Sequence, residues 1–201
     1  MSADLADIRR DFERVAPDTV HGAAAYAASI LADVAGRRGT MDGRIAALTP
    51  TMRVCGPAFT IEVRAGDNLM IHAAMSMAQP GDVLVIDGSI RDTEELRELG
   101  FPVWAIGANP NGPTKYVPGR INWPISCGGA SVKPGDLIVG DADGVVVIER
   151  ERAASLLPLA AAKVADERGR IADIVSGKNL RPKWLEGSLQ AAGVLKDGEA
   201  L

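Results

Sequence analysis

Cysteine is scarce: the 201 residues hold two, Cys55 and Cys127, in no CxxC and in no Cys/His cluster. That pattern suggests neither a zinc site nor a redox pair, and it reads as two buried, reduced thiols. Positive charge is not in excess. Lys and Arg number 22 against 26 Asp and Glu, and the net charge of −4 leaves no basic face to coat nucleic acid. One local Arg or Lys can still hold a small anion. No apolar run approaches the roughly 18 residues that span a bilayer. Met1 to Phe12 mixes five charges of both signs with no apolar core, which does not read as a secretory signal. A cytoplasmic protein is expected. A glycine-rich dinucleotide loop is also missing. What is present, 47% hydrophobic and 24% charged residues, suits a soluble chain with one core. A single domain over 1–201 is predicted, with a polar tail from about 178 to 201.

Helices are predicted over 3–15, over 17–35 with a stop at Gly36, and over 68–78 with a stop at Pro80-Gly81. Further helices are predicted over 92–99 with a stop at Gly100, over 149–176, and over 183–192. Strands are predicted over 54–63 with a break at Gly56-Pro57, and over 83–86, 103–106, 137–139 and 145–148. A tight turn at Asp141-Ala142-Asp143-Gly144 joins the last two. Val83-Leu84-Val85-Ile86 lacks polar alternation, the mark of a strand buried on both faces. The breakers in 107–120 predict a loop. The stretch from Pro80 to Asp87 echoes that from Pro134 to Asp141. Two similar turn-strand units in one sheet system account for the echo.

The first pair of candidate residues comes after the strand at 83–86. Ligands in open α/β sheets sit beyond the carboxyl ends of strands. Here that position leads to Arg91, whose fork suits a planar carboxylate, and Asp92, whose oxygens suit a hard cation. The plainer readings are a surface Arg and a helix-capping Asp. Asn68 and His72 stand four apart and share one helical face, as cleft-lining groups or as half-buried polar residues. Lys115, in the breaker-rich loop, could approach an anion or stay solvated. Glu167, within Asp166-Glu167-Arg168, lies on a charged helix face and gains interest only if it reaches another subunit. His21 reads as a surface residue.

Several segments, in order, resemble the 4-hydroxy-4-methyl-2-oxoglutarate / 4-carboxy-4-hydroxy-2-oxoadipate aldolase family, which shares the fold of RraA regulators of ribonuclease E. They are Gly36-Arg37-Arg38-Gly39, Cys55-Gly56-Pro57-Ala58, Gly66-Asp67-Asn68-Leu69-Met70-Ile71-His72, Pro80-Gly81-Asp82-Val83-Leu84-Val85, Arg91-Asp92-Thr93-Glu94-Glu95-Leu96, Gly100-Phe101-Pro102-Val103 and the stretch from Gly135 to Val145. The resemblance implies an α/β fold, the RraA-like α/β/β/α sandwich, in trimers or hexamers with sites between subunits. It implies a Mg²⁺ or Mn²⁺ ion and retro-aldol cleavage of a 2-oxo acid that releases pyruvate, with oxaloacetate decarboxylation as a possible second activity. Residue by residue, Asp92 would hold the metal and Arg91 the pyruvate oxygens. Asn68, His72 and Lys115 would line the substrate site. Glu167 of an adjacent subunit would hold metal-bound water.

One departure stands out. The family carries a loop, a helix and a further strand between its Val-Asp-Gly strand end and Arg-Asp. Here Asp87-Gly88 runs directly into Ser89-Ile90-Arg91-Asp92. About 30 residues, the size of one strand-helix unit, have no counterpart after Gly88, and the family's second acidic group falls among them. Either the protein lacks the unit or the 201 residues omit it. The loss of core that a deletion entails favours omission. The other functional reading is an RraA-like regulator of ribonuclease activity that acts through protein contacts without a metal. A third is a family member kept as a structural subunit.

Overall fold

The computed structural model describes residues 7–178, 181–182, 184–196, 199 and 201. In chain order its elements are β1 (Asp7–Ile8), α1 (Pro17–Ala23), α2 (Ala28–Val34), β2 (Ala46–Ala47), β3 (Val54–Glu62), α3 (Leu69–Met75), β4 (Val83–Val85), α4 (Thr93–Glu98) and β5 (Trp104–Ala105). Next come β6 (Arg120–Ile121), β7 (Ile125–Cys127), β8 (Ala130–Val132), β9 (Leu137–Asp141), β10 (Gly144–Ile148), α5 (Arg150–Val175) and α6 (Leu185–Ala191). The fold class is α/β, as predicted. Two compact units divide the chain, Met1–Ala160 and Ala161–Leu201.

In the first unit β3 is the organising strand. It pairs antiparallel with β9 through Val54–Pro57 and with β6 through Ile61–Glu62, and parallel with β4 through Ala58–Thr60. The main sheet therefore runs β1-β6-β3-β9-β10, with β4 attached to β3. Two small sheets, β2–β5 and β7–β8, complete the unit. The β9–β10 hairpin forms as its sequence predicts. Alternate side chains of a strand point to opposite faces. Leu137 and Val139 accordingly pack with Leu31 of α2 and with Ala153, Leu156 and Ala160 of α5, while Ile138 packs with Ile45, Cys127 and Val132. A third cluster joins Phe59, Ile61 and Ile121 to Met70 and Ala74 of α3.

Tertiary contacts overrule local pattern at several points. The helix predicted over 3–15 does not form where the chain is described, and residues 3–6 lie outside the described residues. Asp7–Ile8 instead pairs with Arg120–Ile121, Phe12 meets Phe59 edge-on, and Arg14 grips Asp82 with two hydrogen bonds of 2.8 Å. The single helix predicted over 17–35 is two, α1 and α2. The second starts where Asp141, from the distant hairpin, accepts the Ala28 amide at 2.8 Å and acts as its cap. Gly56-Pro57 does not break β3. Gly56 is needed there because a Cβ would lie 2.1 Å from the Gly81 carbonyl oxygen. The prediction that Val83–Ile86 is buried on both faces is wrong: only Val85 is buried, and β4 is an edge strand.

In the second unit, α5 continues to Val175 and α6 covers most of the helix predicted over 183–192, with Lys183 outside the described residues. No helix among the described residues is long and apolar enough to cross a membrane.

Candidate functional site

The segment after β4 reaches Arg91 and Asp92 through a short bridge to the following loop. The Ile90 amide donates to the Gly107 carbonyl at 3.1 Å, and the Asn109 amide donates to the Ile90 carbonyl at 2.8 Å. This places the Arg91 guanidinium against the loop backbone, where a Cβ at Gly112 would lie 3.2 Å from Nη1. Arg91 Nε sits 3.2 Å from Asp92 Oδ1.

Asp92 occupies the N-cap position of α4 with φ 55 and ψ 42, in the left-handed region that costs a non-glycine residue energy. Its carboxylate makes no capping bond. Asp92 thus does not serve as the helix cap that its position allows. The carboxylate is exposed and faces Arg91.

The other end of the loop is fastened by a residue that sequence reading passed over. Asp67 is 5% exposed. Its carboxylate accepts the Thr114 hydroxyl at 2.7 Å and the amides of Leu69, Tyr116 and Val117 at 2.9, 2.8 and 3.2 Å. Burial alone would raise the Asp67 carboxyl, but these four donors outweigh it and hold the group well below the usual carboxylate range. By gripping Leu69 it caps α3, and by gripping residues 114–117 it carries Lys115 to the start of that helix. The Asn68 amide then donates to the Thr114 carbonyl at 2.9 Å. A Gly-Asp before an apolar helical stretch is a recognisable start signal, and it was available at Gly66-Asp67.

Asn68 and His72 are one turn apart, and the His72 amide donates to the Asn68 carbonyl at 3.1 Å. The His72 side chain is exposed; Asn68 Oδ1 is buried and has no hydrogen-bond partner. Lys115 is exposed. Loop 107–117 therefore joins Arg91 at one end to Asn68 and Lys115 at the other. Glu167 lies on α5 in the second unit, with Lys163 at 3.3 Å.

A cleft of about 280 Å³, lined by Glu62, Asp87, Arg120 and Ser126 among others, contains none of these six residues. The two thiols are not nucleophiles at neutral pH. Burial pushes Cys55 up to about 11 and, with the charge of Asp87, does the same to Cys127. His21 is exposed, as predicted.

Among the described residues no three His, Cys, Asp or Glu side chains cluster as a metal cage. Mg²⁺ needs no such cage: it keeps several waters and takes one or two carboxylates plus substrate oxygens. An exposed carboxylate held on a strained backbone and bound to no helix end, Asp92, fits that kind of ion. It does not fit a metal held by protein groups alone.

The comparisons with known proteins agree on one family. The RraA-like model (Aldolase/RraA) matches residues 2–90 and 84–147, so residues 84–90 are matched twice. A Halalkalibacterium halodurans protein named as a candidate 4-hydroxy-4-methyl-2-oxoglutarate aldolase is 40% identical over 147 residues, covering 59% of this chain and 70% of the relative. Since 59% of 201 is about 119, some 28 positions of that alignment have no counterpart here. An uncharacterised Methanocaldococcus jannaschii protein is 41% identical over 98 residues, 49% of this chain and 47% of its own length. Among solved structures, Streptomyces coelicolor RraAS2, described as an unusual member of the RNase ES inhibitor RraA family, superposes with a TM-score of 0.69 at 27% identity. It covers 80% of this chain and 99% of its own. The RNA-processing inhibitor RraA of Thermus thermophilis shares the fold, with a TM-score of 0.55 at 22% identity over 61% of this chain and 92% of its own. Fold, motif order and sequence identity together make this chain a member of the RraA-like family.

Proposed function

We propose that this chain is a pyruvate-releasing aldolase, a carbon-carbon lyase that cleaves 4-hydroxy-4-methyl-2-oxoglutarate or 4-carboxy-4-hydroxy-2-oxoadipate in the cytoplasm. The observation that carries this reading is the Arg91–Asp92 pair, with an exposed, non-capping carboxylate on a strained backbone. The aldolase naming of relatives supports it. Retro-aldol cleavage removes the proton of the C4 hydroxyl, breaks the C3–C4 bond and leaves the enolate of pyruvate. Arg91 grips the 2-oxo acid through paired hydrogen bonds and stabilises the charge that develops on its oxygen. Asn68 Oδ1 takes a donor from the bound substrate, which removes its unpaired state. Lys115 adds charge complementary to the second carboxylate, and His72 borders the same helix start. Asp92 is the residue that would hold Mg²⁺ or Mn²⁺, with Glu167 of a neighbouring copy in a trimer or hexamer holding bound water. A divalent ion there supplies Lewis-acid stabilisation of the enolate. Oxaloacetate decarboxylation passes through the same enolate and belongs to the same proposal.

Pyruvate release from 4-hydroxy-4-methyl-2-oxoglutarate, with and without Mg²⁺, tests the reading. Metal-dependent release that falls at least about 100-fold in Asp92→Ala and Arg91→Ala is expected. No release from the folded protein sinks it. The likeness to RraAS2 favours a second reading, a metal-free regulator of ribonuclease activity. Added Mg²⁺ raises the melting temperature of the aldolase and leaves that of the regulator unchanged.

A further inference from the structure

Loop 107–117 is tied at both ends and open in the middle. On one side the Asn109 amide donates to the Ile90 carbonyl at 2.8 Å, and on the other the Thr114 amide donates to the Gly66 carbonyl at 2.8 Å. Between them the Asn111 amide donates to Asn109 Oδ1 at 3.0 Å, a turn closed by the Asn109 side chain. Asn111 and Gly112 are both exposed. Among the described residues, the Asn111 side chain and the Gly112 amide take part in no hydrogen bond.

An asparagine side chain can be attacked by the next backbone nitrogen when that nitrogen reaches its Cγ. A following residue with a Cβ hinders the approach, and glycine leaves it open. The other described asparagines fail this condition. Asn109 precedes Pro110, which has no N–H to lose. Asn68 precedes Leu69, whose amide is held by Asp67 Oδ1 at 2.9 Å. Asn122 is 1% exposed, and its side-chain amide donates to the Arg9 carbonyl at 2.9 Å. Asn179 lies outside the described residues.

We propose that Asn111-Gly112 is a self-modification site whose product sets a negative charge beside Arg91. The Gly112 nitrogen gives up its proton to solvent and bonds to Asn111 Cγ. The Cγ–Nδ2 bond breaks, the side-chain nitrogen leaves as ammonia, and a succinimide closes. Water then opens the ring. Attack at Cγ leaves aspartate, and attack at the backbone carbonyl of residue 111 leaves isoaspartate. Water is the sole co-reactant. Either product carries a carboxylate one residue from Gly112, where a Cβ would lie 3.2 Å from Arg91 Nη1. The Arg91 hydrogen bond to Asp92 uses Nε, which leaves the Nη groups of the fork for the new carboxylate. There it competes with the carboxylate of a 2-oxo acid. That competition rests on the aldolase reading; the conversion itself does not.

The test ages the full 201-residue protein at mildly alkaline pH and maps its peptides by mass. The peptide that contains Asn111 should gain the mass of an amide-to-acid exchange, split into two forms and accept label from an isoaspartate-specific methyltransferase. Asn109 and Asn122 should keep their amides. Asn111→Gln, whose longer side chain closes no five-membered ring, should not convert. Conversion at Asn111 no faster than at Asn109 or Asn122 overturns the site. In Asn111→Asp the Arg91 Nε–H resonance should move, and an unmoved resonance overturns the placement of the charge. Calorimetry should show pyruvate bound about two- to fivefold more weakly by Asn111→Asp than by fresh native protein, the strength of an exposed charge pair. Equal affinity overturns the competition. A native protein that binds no pyruvate sinks the aldolase reading alone, because the conversion and the Arg91 resonance are read without it.

Discussion

Two stretches of this chain start alike and end differently. Pro80-Gly81-Asp82 launches β4 and Pro134-Gly135-Asp136 launches β9, and both strands lie against β3, one parallel and one antiparallel. All five residues of β9 are buried, whereas β4 has three residues and buries one. The two aspartates diverge too. Asp82 is held by the Arg14 guanidinium, while Asp136 is fully buried and takes the amides of Lys133 and Arg150. Burial pushes the Asp136 carboxyl above its ordinary value despite those bonds. The cause of the contrast lies outside both motifs. The seven residues after β9 supply β10, which pairs along its whole length; the residues after β4 supply no strand that pairs with it. A buried-strand pattern states what a segment can bury, and its neighbours settle whether it does.

That contrast can be broken by substitution, and the largest effect belongs to β9. Ile138→Ala removes a side chain 2% exposed and should cost about 2–5 kcal/mol in urea unfolding. The matched change in β4, Leu84→Ala, removes a half-buried side chain and should cost about 1 kcal/mol. Equal costs would show that β4 is covered as fully as β9.

Asp67→Asn sharpens the comparison at the loop. A depressed carboxyl contributes stability that is complete above its unfolded value, about 3.9, and is lost as pH falls toward its folded value. The hold of Asp67 on residues 114–117 should therefore weaken progressively as pH falls below about 4, and be lost only as pH passes through the depressed folded value. The variant should show no such acid step at Tyr116, followed by its fluorescence or amide exchange. The smallest effect is expected in the stretch after β4, where Phe101 is exposed. Phe101→Ser should change stability by no more than about 0.5 kcal/mol, measured in the same urea titration.

Much of the first unit was legible from pattern. The β9–β10 hairpin, α3, α4 and α5 come from apolar spacing and from glycine and proline punctuation, and the order of Arg91 and Asp92 before α4 was plain. The strands β1, β2, β6, β7 and β8 were not, because two or three residues are too few to show a period. Asp67 was missed because its role is to hold a loop 47 to 50 residues away, which no local window contains.

The sequence by itself determined the family, the α/β class, the hairpin and the interruption after Gly88, all of which are properties of residue order and spacing. Only the tertiary structure decided that β4 is an edge, that Asp141 caps α2, and that Asp67 ties Lys115 to Asn68. The two aspartate roles each depend on a hydrogen bond between groups far apart in the chain, and the edge on the absence of a second ladder beside β4 among the described residues. Such a bond exists only once the intervening residues have folded to bring its two ends within about 3 Å.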